Sequence, residues 1–250
     1  MKNKISLYTV SIISMLSVLL YFLNNLSTIE PKIYTLLDVK VGAVIKFNVA
    51  HLTRQFLFIA GISSLLSLTL GLLTGLFCIS NFGREFRKII ETISTILKSF
   101  PEIAILRFVI PLLGLGVWPS IIALTAHGIL PVIFSTISGI ENIDKTLIKT
   151  AKGIGMSKSQ IFNKVIIPLS IPVIISGFRL TVISCIGGAT IASSTGAEGL
   201  GLLLKAGQET YNVVLIFECA TVILLLSLIS DFTLRLAEYK MSSYLYLKGR

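Results

Sequence analysis

The chain carries little charge for its length. Only 14% of its 250 residues are charged, 54% are hydrophobic, and the mean hydropathy is +0.88. These values exclude an ordinary soluble domain, in which about 25% of residues are charged. A hydrocarbon core about 30 Å thick is crossed by roughly 20 apolar residues in a helix. The long apolar runs lack strict alternation, so they predict membrane-spanning helices and not barrel strands.

Residues that carry catalytic or metal chemistry are also scarce. There are two histidines, and none of the three cysteines (Cys78, Cys185 and Cys219) has CxxC spacing. The sequence contains no GxSxG, HExxH or metal-ligand grouping, and no Gly-x-x-x-x-Gly-Lys-Ser/Thr phosphate loop. We therefore predict that the chain is not an enzyme, has no metal or cofactor of its own and binds no ATP. The cysteines fall in apolar runs, which predicts buried thiols and no disulfide.

The apolar stretches predict an all-α, polytopic membrane protein with about six transmembrane helices. The third stretch is interrupted by four residues, so two half-buried pieces are an alternative to one span there; they are Lys98, Pro101, Glu102 and Arg107. The predicted spans are Leu7–Leu23, Phe56–Ile79, Ile93–Leu113, Val117–Ile140, Ile171–Ser193 and Val213–Leu234.

The placement of lysine and arginine predicts a cytoplasmic N-terminus. The first apolar run is longer than that of a signal peptide and no small-x-small cleavage site comes after it, which favours an uncleaved anchor. The segment Ser27–Arg54 is then an external, partly helical loop. The net charge of +10 is explained by positive residues against anionic membrane lipid, and implies no nucleic-acid partner. The predicted cytoplasmic positive residues are Lys2, Lys4, Arg84, Arg87, Lys88, Lys145, Lys149, Lys152, Lys158, Lys164, Arg235, Lys240, Lys248 and Arg250.

The segment Glu141–Pro168 is polar and basic between two apolar spans. Asp144 is a candidate N-cap for one short helix, and Ser157 with Gln160 forms a candidate capping box for a second. Small residues and a turn lie between them, and Pro168 is expected to end the second helix. The pattern predicts a helix-turn-helix at the membrane surface that enters a groove on a partner. An amphipathic hairpin lying on lipid is the alternative.

Glycines and prolines are concentrated in the middle of the chain. Gly71 and Gly75 form a GxxxG pair, which permits two helices to approach closely. Prolines at 101, 111, 119 and 131 punctuate the third and fourth spans. Broken membrane helices are tolerated where they are buried or line a cavity, so both ordinary helix packing and a lining role remain open here.

Several of these features together resemble the permeases of ABC importers. Ala151, Gly155 and Pro168 stand at the spacing of the coupling loop of that family, and the stretch 176–180 (SGFRL) is similar to the family's segment just after that loop. The stretch 196–201 (GAEGLG) resembles the family's Gly-Ala-Gly-Gly-Leu-Gly turn, and 111–116 (PLLGLG) extends the match upstream. The resemblance covers roughly His51 to Leu236.

The resemblance implies the transmembrane domain of a type I ABC importer in the bacterial cytoplasmic (inner) membrane. It implies an anchor and loop over 1–50, a permease domain over 51–240 with a coupling loop at 141–170, and a cytoplasmic tail over 241–250. Two cytoplasmic ABC ATPase subunits that bind ATP, an extracytoplasmic solute-binding protein and a second permease copy, identical or a sister chain, are the implied partners. The implied coupling residues are Lys149, Thr150, Ala151, Gly155, Met156 and Pro168, and the implied gate turn has Gly196, Gly199, Leu200 and Gly201.

The resemblance is closest to permeases for osmoprotectants such as glycine betaine, choline and carnitine. This chain departs from that branch at His127, where Tyr is common, and at Phe134-Ser135, where Arg-Asn is common. Permeases for methionine, phosphonates or sulfonates are therefore an alternative, and a membrane scaffold without transport is a remote one. A membrane enzyme would need a polar cluster, and the nearest group is Glu91, Lys98, Glu102 and Arg107, which we expect along one cytoplasm-proximal stretch.

Uncharged hydroxyls near the Gly-Leu-Gly turn suit a path that binds a solute weakly. His127, inside the fourth span, is either part of the path or a helix-packing hydrogen-bond group, and an aromatic face such as that of Phe134 would favour a quaternary ammonium. At Lys149 the family has Glu. Either the charge of Lys149 lies in solvent at the edge of the contact with the ATPase, or it helps select a cognate ATPase. The candidate path residues are His127, Phe134, Thr190, Ser193, Ser194 and Thr195.

Overall fold

The computed structural model describes residues 2–25, 29, 48–193 and 196–248 of the protein, and the secondary structure in these ranges is helical. Most of the predicted external loop Ser27–Arg54 lies outside the described residues. The α-helices are α1 Lys2–Asn24, α2 Val49–Ile79, α3 Arg87–Ser99, α4 Glu102–Leu113, α5 Val117–Glu141, α6 Lys145–Gly153, α7 Lys158–Ile161, α8 Ile167–Ala192, α9 Leu200–Glu209 and α10 Val213–Lys248.

Five helical stretches of the described chain are long and apolar enough to cross a membrane. They match the first, second, fourth, fifth and sixth predicted spans, which confirms the all-helical polytopic fold. The third span is not among them, because it consists of two shorter helices. The five stretches are Ile5–Asn24, Val49–Ile79, Val117–Glu141, Lys158–Ala192 and Val213–Ser243.

The third predicted span is interrupted between α3 and α4. Phe100 is extended, with φ −75° and ψ 133°, because the ring of Pro101 disfavours a helical conformation in the residue before it. Arg87, at the start of α3, hydrogen-bonds Glu141 at the end of α5 and also Glu91, and these bonds raise its pKa above the usual value.

The charged residues of this broken span are spread along the bundle. Arg87 is level with the end of α5, whereas Glu102 lies against Gly188, four residues before the end of α8. The expectation that Glu91, Lys98, Glu102 and Arg107 share one end of the bundle is therefore wrong. The reason is that α3 starts beside the end of α5 and runs along α5 before the chain reaches the break at Phe100.

The centre of the molecule is formed by α2, α5 and α8, which pack through small residues. Gly71 lies against Val132 and Gly75 against Thr136, so the GxxxG pair does bring α2 close to α5. On the other side of α5, the Thr181 hydroxyl of α8 donates to the Gly128 carbonyl at 2.7 Å. These short approaches leave little room for the helices to slide.

We expect Gly71→Ala to destabilise the bundle and Gly61→Ala to have little effect. A Cβ added at Gly71 would lie 2.6 Å from the Val132 Cβ, whereas none of the described atoms lies within 4 Å of one at Gly61. Overpacking of this kind costs about 1–3 kcal/mol. Thermal unfolding of the two variants in detergent, followed by size-exclusion chromatography, measures the difference. Equal midpoints would show that α2 and α5 are not tightly packed.

The helix that carries the fifth span begins earlier than predicted. Pro168 and Pro172 do not end a separate short helix, because the chain stays helical from Lys158 to Ala192. A π-helical turn, Phe162–Ile166, lies between α7 and α8. Such a turn changes the register of the backbone hydrogen bonds. It therefore accommodates Pro168, which has no backbone N–H to donate.

Two outer helices complete the bundle. The Tyr8 ring of α1 packs against the rings of Phe232 and Tyr239 of α10. Arg179 of α8 contacts Asp231 and Glu238 of α10 at 3.5 and 3.4 Å. These contacts tie α1, α8 and α10 together near the polar end of α10.

Candidate functional site

The polar segment between α5 and α8 is a helix-turn-helix, as predicted. The Asp144 carboxylate accepts a hydrogen bond from the Thr146 N–H at 2.7 Å, which confirms the N-cap of α6. The backbone and side-chain hydrogen bonds from Thr146 lower the pKa of Asp144. The Ser157 side chain accepts from the Gln160 N–H, and the Gln160 side chain accepts from the Ser157 N–H, which confirms the capping box. Both helix starts are thus fixed locally.

The turn between α6 and α7 depends on Gly155. Its φ is +85°, a left-handed conformation that glycine adopts at low cost. The Gly155 N–H donates to the Lys152 carbonyl at 3.0 Å, and the Met156 N–H donates to the Ala151 carbonyl at 3.1 Å. These bonds satisfy carbonyls at the end of α6, and the chain reverses within a few residues.

The surface of this segment is basic with an apolar tip. Lys149, Thr150 and Lys152 are exposed, while Ala151 is buried and Met156 is half-buried. Ile154, at the tip, has 75% of its surface exposed. The sequence analysis did not single out Ile154, although an apolar residue between two glycines of a polar turn indicates an exposed apolar side chain.

Pro168 does not lie in the turn. It is half-buried in the first turn of α8, after the π-helical turn. The structure therefore brings together Lys149, Thr150, Ala151, Gly155 and Met156, while Pro168 lies at the entry of the segment into the bundle.

The candidate gate turn joins α8 to α9. Gly196 has φ +84° and packs against Leu115, and Gly199 lies against Phe56 of α2. Leu200 is fully buried, and its carbonyl accepts a hydrogen bond from the Cys219 thiol of α10 at 2.8 Å. The turn thus packs between α2, α10 and the loop that joins α4 to α5.

Gly201 fixes how closely α9 approaches α8. A Cβ at this position would lie 1.9 Å from the Thr190 carbonyl oxygen and 2.9 Å from the Ser193 Oγ. Ser193 is buried, and its Oγ has no hydrogen-bond partner among the described residues. The Thr190 hydroxyl donates to the Ile186 carbonyl at 3.1 Å. Thr190 and Ser193 therefore lie at the gate turn, while Ser194 and Thr195 lie outside the described residues.

The other two candidate path residues lie in the middle of α5. His127 and Phe134 are half-buried and seven residues apart, so they lie two turns apart on one side of the helix. The His127 Nδ1 is buried and has no hydrogen-bond partner in the described part of the chain. The structure therefore divides the candidates into a pair on α5 and a pair beside the gate turn.

One polar residue was named by the sequence analysis only as a member of a charged group and not as a candidate path residue. Glu102 is half-buried and its carboxylate lies over Gly188 of α8. The sequence signal that could have identified Glu102 is a carboxylate directly after a proline in an apolar stretch. In the described ranges there is no group of three or more His, Cys, Asp or Glu residues that forms a metal site.

A helical membrane bundle with a rigid, exposed helix-turn-helix at one end is the architecture of an importer permease. The family described as "Binding-protein-dependent transport system inner membrane component" matches residues 67–243, and the chain belongs to it. The protein is thus the membrane-spanning permease component of a transport system.

Individual relatives point to one branch of the family. The chain is 36% identical over 195 residues to the carnitine transport permease protein OpuCB of Listeria monocytogenes, covering 78% of this chain and 88% of the relative. It is 39% identical over 150 residues to the choline transport system permease protein OpuBB of Bacillus subtilis, covering 60% and 69%. Relatives of this chain thus include permeases of osmoprotectant importers.

Solved structures share the fold. An inward-facing structure of the MetNI methionine ABC transporter aligns with a TM-score of 0.69 at 20% identity, covering 77% of this chain and 95% of that chain. A structure titled as an amino acid ABC transporter with histidines aligns with a TM-score of 0.66 at 18% identity, covering 77% and 93%. At these identities the likeness concerns the fold alone.

Proposed function

We propose that two permease chains, this one and either a second copy or a sister chain, form the path of an ATP-driven importer. Cytoplasmic ABC ATPases bind and hydrolyse the ATP, and an extracytoplasmic binding protein delivers the solute. The observation that carries this proposal is the exposed helix-turn-helix, held by two side-chain caps and the Gly155 turn. A segment fixed in this way transmits a rigid-body motion of a docked partner to α5 and α8, which it connects.

The solute we propose is a small quaternary amine such as choline, carnitine or glycine betaine. The relatives named for carnitine and choline support this, because they are 36% and 39% identical to the chain. The candidate path also fits, since it combines hydroxyls with the aromatic face of Phe134, and aromatic faces attract quaternary ammonium groups.

The test of this function is uptake by reconstituted vesicles. The permease is assembled with its cognate ATPase and binding protein, and uptake of radiolabelled choline, carnitine and glycine betaine is measured with and without ATP. We expect ATP-dependent uptake of at least one of them and none of methionine. Uptake of methionine alone would overturn the proposed solute, and no ATP-dependent uptake of any solute would overturn the proposed coupling.

We also propose that the helix-turn-helix and both chain ends face the cytoplasm. The excess of Lys and Arg in those segments supports this orientation. Ser159 is exposed, and the three native cysteines are buried. A Ser159→Cys variant should therefore react with an impermeant thiol reagent in inverted vesicles and not in intact cells. Labelling of intact cells would reverse the orientation.

Lys149 has two proposed roles at the contact with the ATPase. It is exposed, and an exposed ion pair contributes at most about 1 kcal/mol. If it only borders the contact, Lys149→Glu leaves coupled ATP hydrolysis unchanged. If it selects an ATPase with a matching acidic site, the variant loses activity with the cognate ATPase and gains it with a non-cognate one. Hydrolysis with both ATPases in reconstituted vesicles distinguishes the two roles, and Lys158→Glu, another exposed lysine, is the control.

A further inference from the structure

Glu102 places a carboxylate inside the bundle at the break of the third span. It lies in the first turn of α4, directly after the extended Phe100 and Pro101. A Cβ added at Gly188 would lie 2.2 Å from the Glu102 Oε1 and 2.2 Å from the Leu124 Cδ2. The carboxylate therefore fills space between α5 and α8 that only a glycine at position 188 leaves open.

The carboxylate is not neutralised by the described chain. Glu102 is half-buried, and none of the described residues forms a hydrogen bond or an ion pair with it. Lys98, at the end of α3, is exposed and interacts electrostatically with His127. A carboxylate among apolar helices is costly unless a cation or a donor meets it. Glu102 therefore lacks, among the described residues, the cation or donor that would stabilise its charge.

A second polar group without a described partner lies on α5. The Glu102 carboxylate is close enough to Cys185 to act on it electrostatically, and the Cys185 thiol lies against Gly128, the residue after His127. The buried Nδ1 of His127 is also without a hydrogen-bond partner among the described residues. Cys185 thus lies near two polar groups that have no hydrogen-bond partner among the described residues.

Aromatic faces border the same break. An apolar cavity of about 320 Å³ lies in the elbow between α3 and α4, and Phe100 and Phe108 are among the residues that line it. Phe100 lies two residues before Glu102. Glu102 itself does not line this cavity, but Phe100 and Phe108 add aromatic faces near it along the chain, and such faces attract a quaternary ammonium group.

We propose that Glu102 is the group in the translocation path that receives the cationic head of the solute, with His127 as its polar neighbour. The solute class is a quaternary ammonium compound. This inference rests on the proposed function and adds the residue that distinguishes a cationic from a neutral solute inside the membrane. Gly188 is the positioning residue, because a side chain there would displace the carboxylate.

The first test is choline uptake by reconstituted vesicles at saturating binding protein. We expect Glu102→Gln to lower choline uptake by about tenfold or more, and Glu102→Asp, which keeps the charge, to retain most of it. The matched control is Glu85→Gln, which removes an exposed carboxylate and should transport like the wild type. Uptake by Glu102→Gln equal to that of wild type overturns the inference and leaves the proposed function standing. Failure of the wild type to take up any quaternary amine overturns both.

A second test uses the wild-type protein and does not depend on the folding of a variant. The assembled transporter in detergent is treated with a membrane-permeant carbodiimide, and modification of Glu102 is measured by peptide mass spectrometry. We expect excess choline or tetramethylammonium to protect Glu102 and excess methionine to leave it reactive. Equal modification with and without choline would overturn the inference.

Discussion

Replacing Gly155 with valine is expected to lower ATP-driven solute uptake by about tenfold or more. The reason is the backbone conformation and not a lack of space. Gly155 has φ +85°, and none of the described atoms lies within 4 Å of a Cβ built there. A left-handed conformation costs an ordinary residue about 1–2 kcal/mol, and a β-branched one more. The turn would relax, and the Met156 N–H would leave the Ala151 carbonyl that it now bonds at 3.1 Å.

Gly153 is the matched control for this prediction. It lies two residues earlier, is exposed, and also has open space where a Cβ would be placed. It is helical, however, so Gly153→Ala should leave uptake near the wild-type level, since alanine favours a helix by about 1 kcal/mol over glycine. Uptake and ATP hydrolysis are measured in the same vesicles. If both variants lose coupling equally, the contact with the partner requires small residues throughout and the turn geometry is not the cause.

Gly201→Ala is expected to have the largest effect on the gate turn. The added Cβ would lie 1.9 Å from the Thr190 carbonyl oxygen, which is backbone and moves only if α8 and α9 separate. Overpacking of a buried contact costs about 1–3 kcal/mol, and a clash with backbone lies at the upper end. We expect a lower yield of folded protein, and uptake by the folded fraction reduced by about tenfold or more.

The control for Gly201 is Gly187→Ala on the neighbouring helix. A Cβ at Gly187 meets none of the described atoms within 4 Å, so the variant should fold and transport like the wild type. Thermal unfolding in detergent and vesicle uptake are measured for both variants. A Gly201→Ala protein with unchanged melting temperature and uptake would show that α9 is free to move away from α8, and that the gate turn is not held by this contact.

Local sequence signals accounted for much of this fold. Apolar runs long enough to cross the hydrocarbon core predicted five of the spans. The reason is that the backbone N–H and C=O groups of such a run must be hydrogen-bonded within one helix. The caps at Asp144 and Ser157 were also predicted, since a cap depends on a side chain and a backbone N–H only two or three residues away. The glycine pair on α2 was predicted as a close contact, although not which helix it meets.

Features that depend on distant residues were predicted poorly. Pro168 was expected to end a helix, and the chain instead stays helical past it after a π-helical turn. Whether a proline ends a helix depends on what packs around the freed carbonyls, and that is not visible in a short window of sequence. The division of the third stretch into α3 and α4 was an open alternative. The break itself follows from Pro101, whereas the packing of each helix on α5 depends on residues far along the chain.

By itself, then, the sequence determined the class of the protein, its spanning helices and its capped helix-turn-helix, because hydrophobic length and capping act over a few residues. Only the tertiary structure decided which small residues let which helices meet, as at Gly201 against Thr190. It also decided that the carboxylate of Glu102 lies beside Gly188, which is far from it in sequence. The physical reason is that the position of a charge inside a bundle depends on the packing of several helices, and no single helix carries that information.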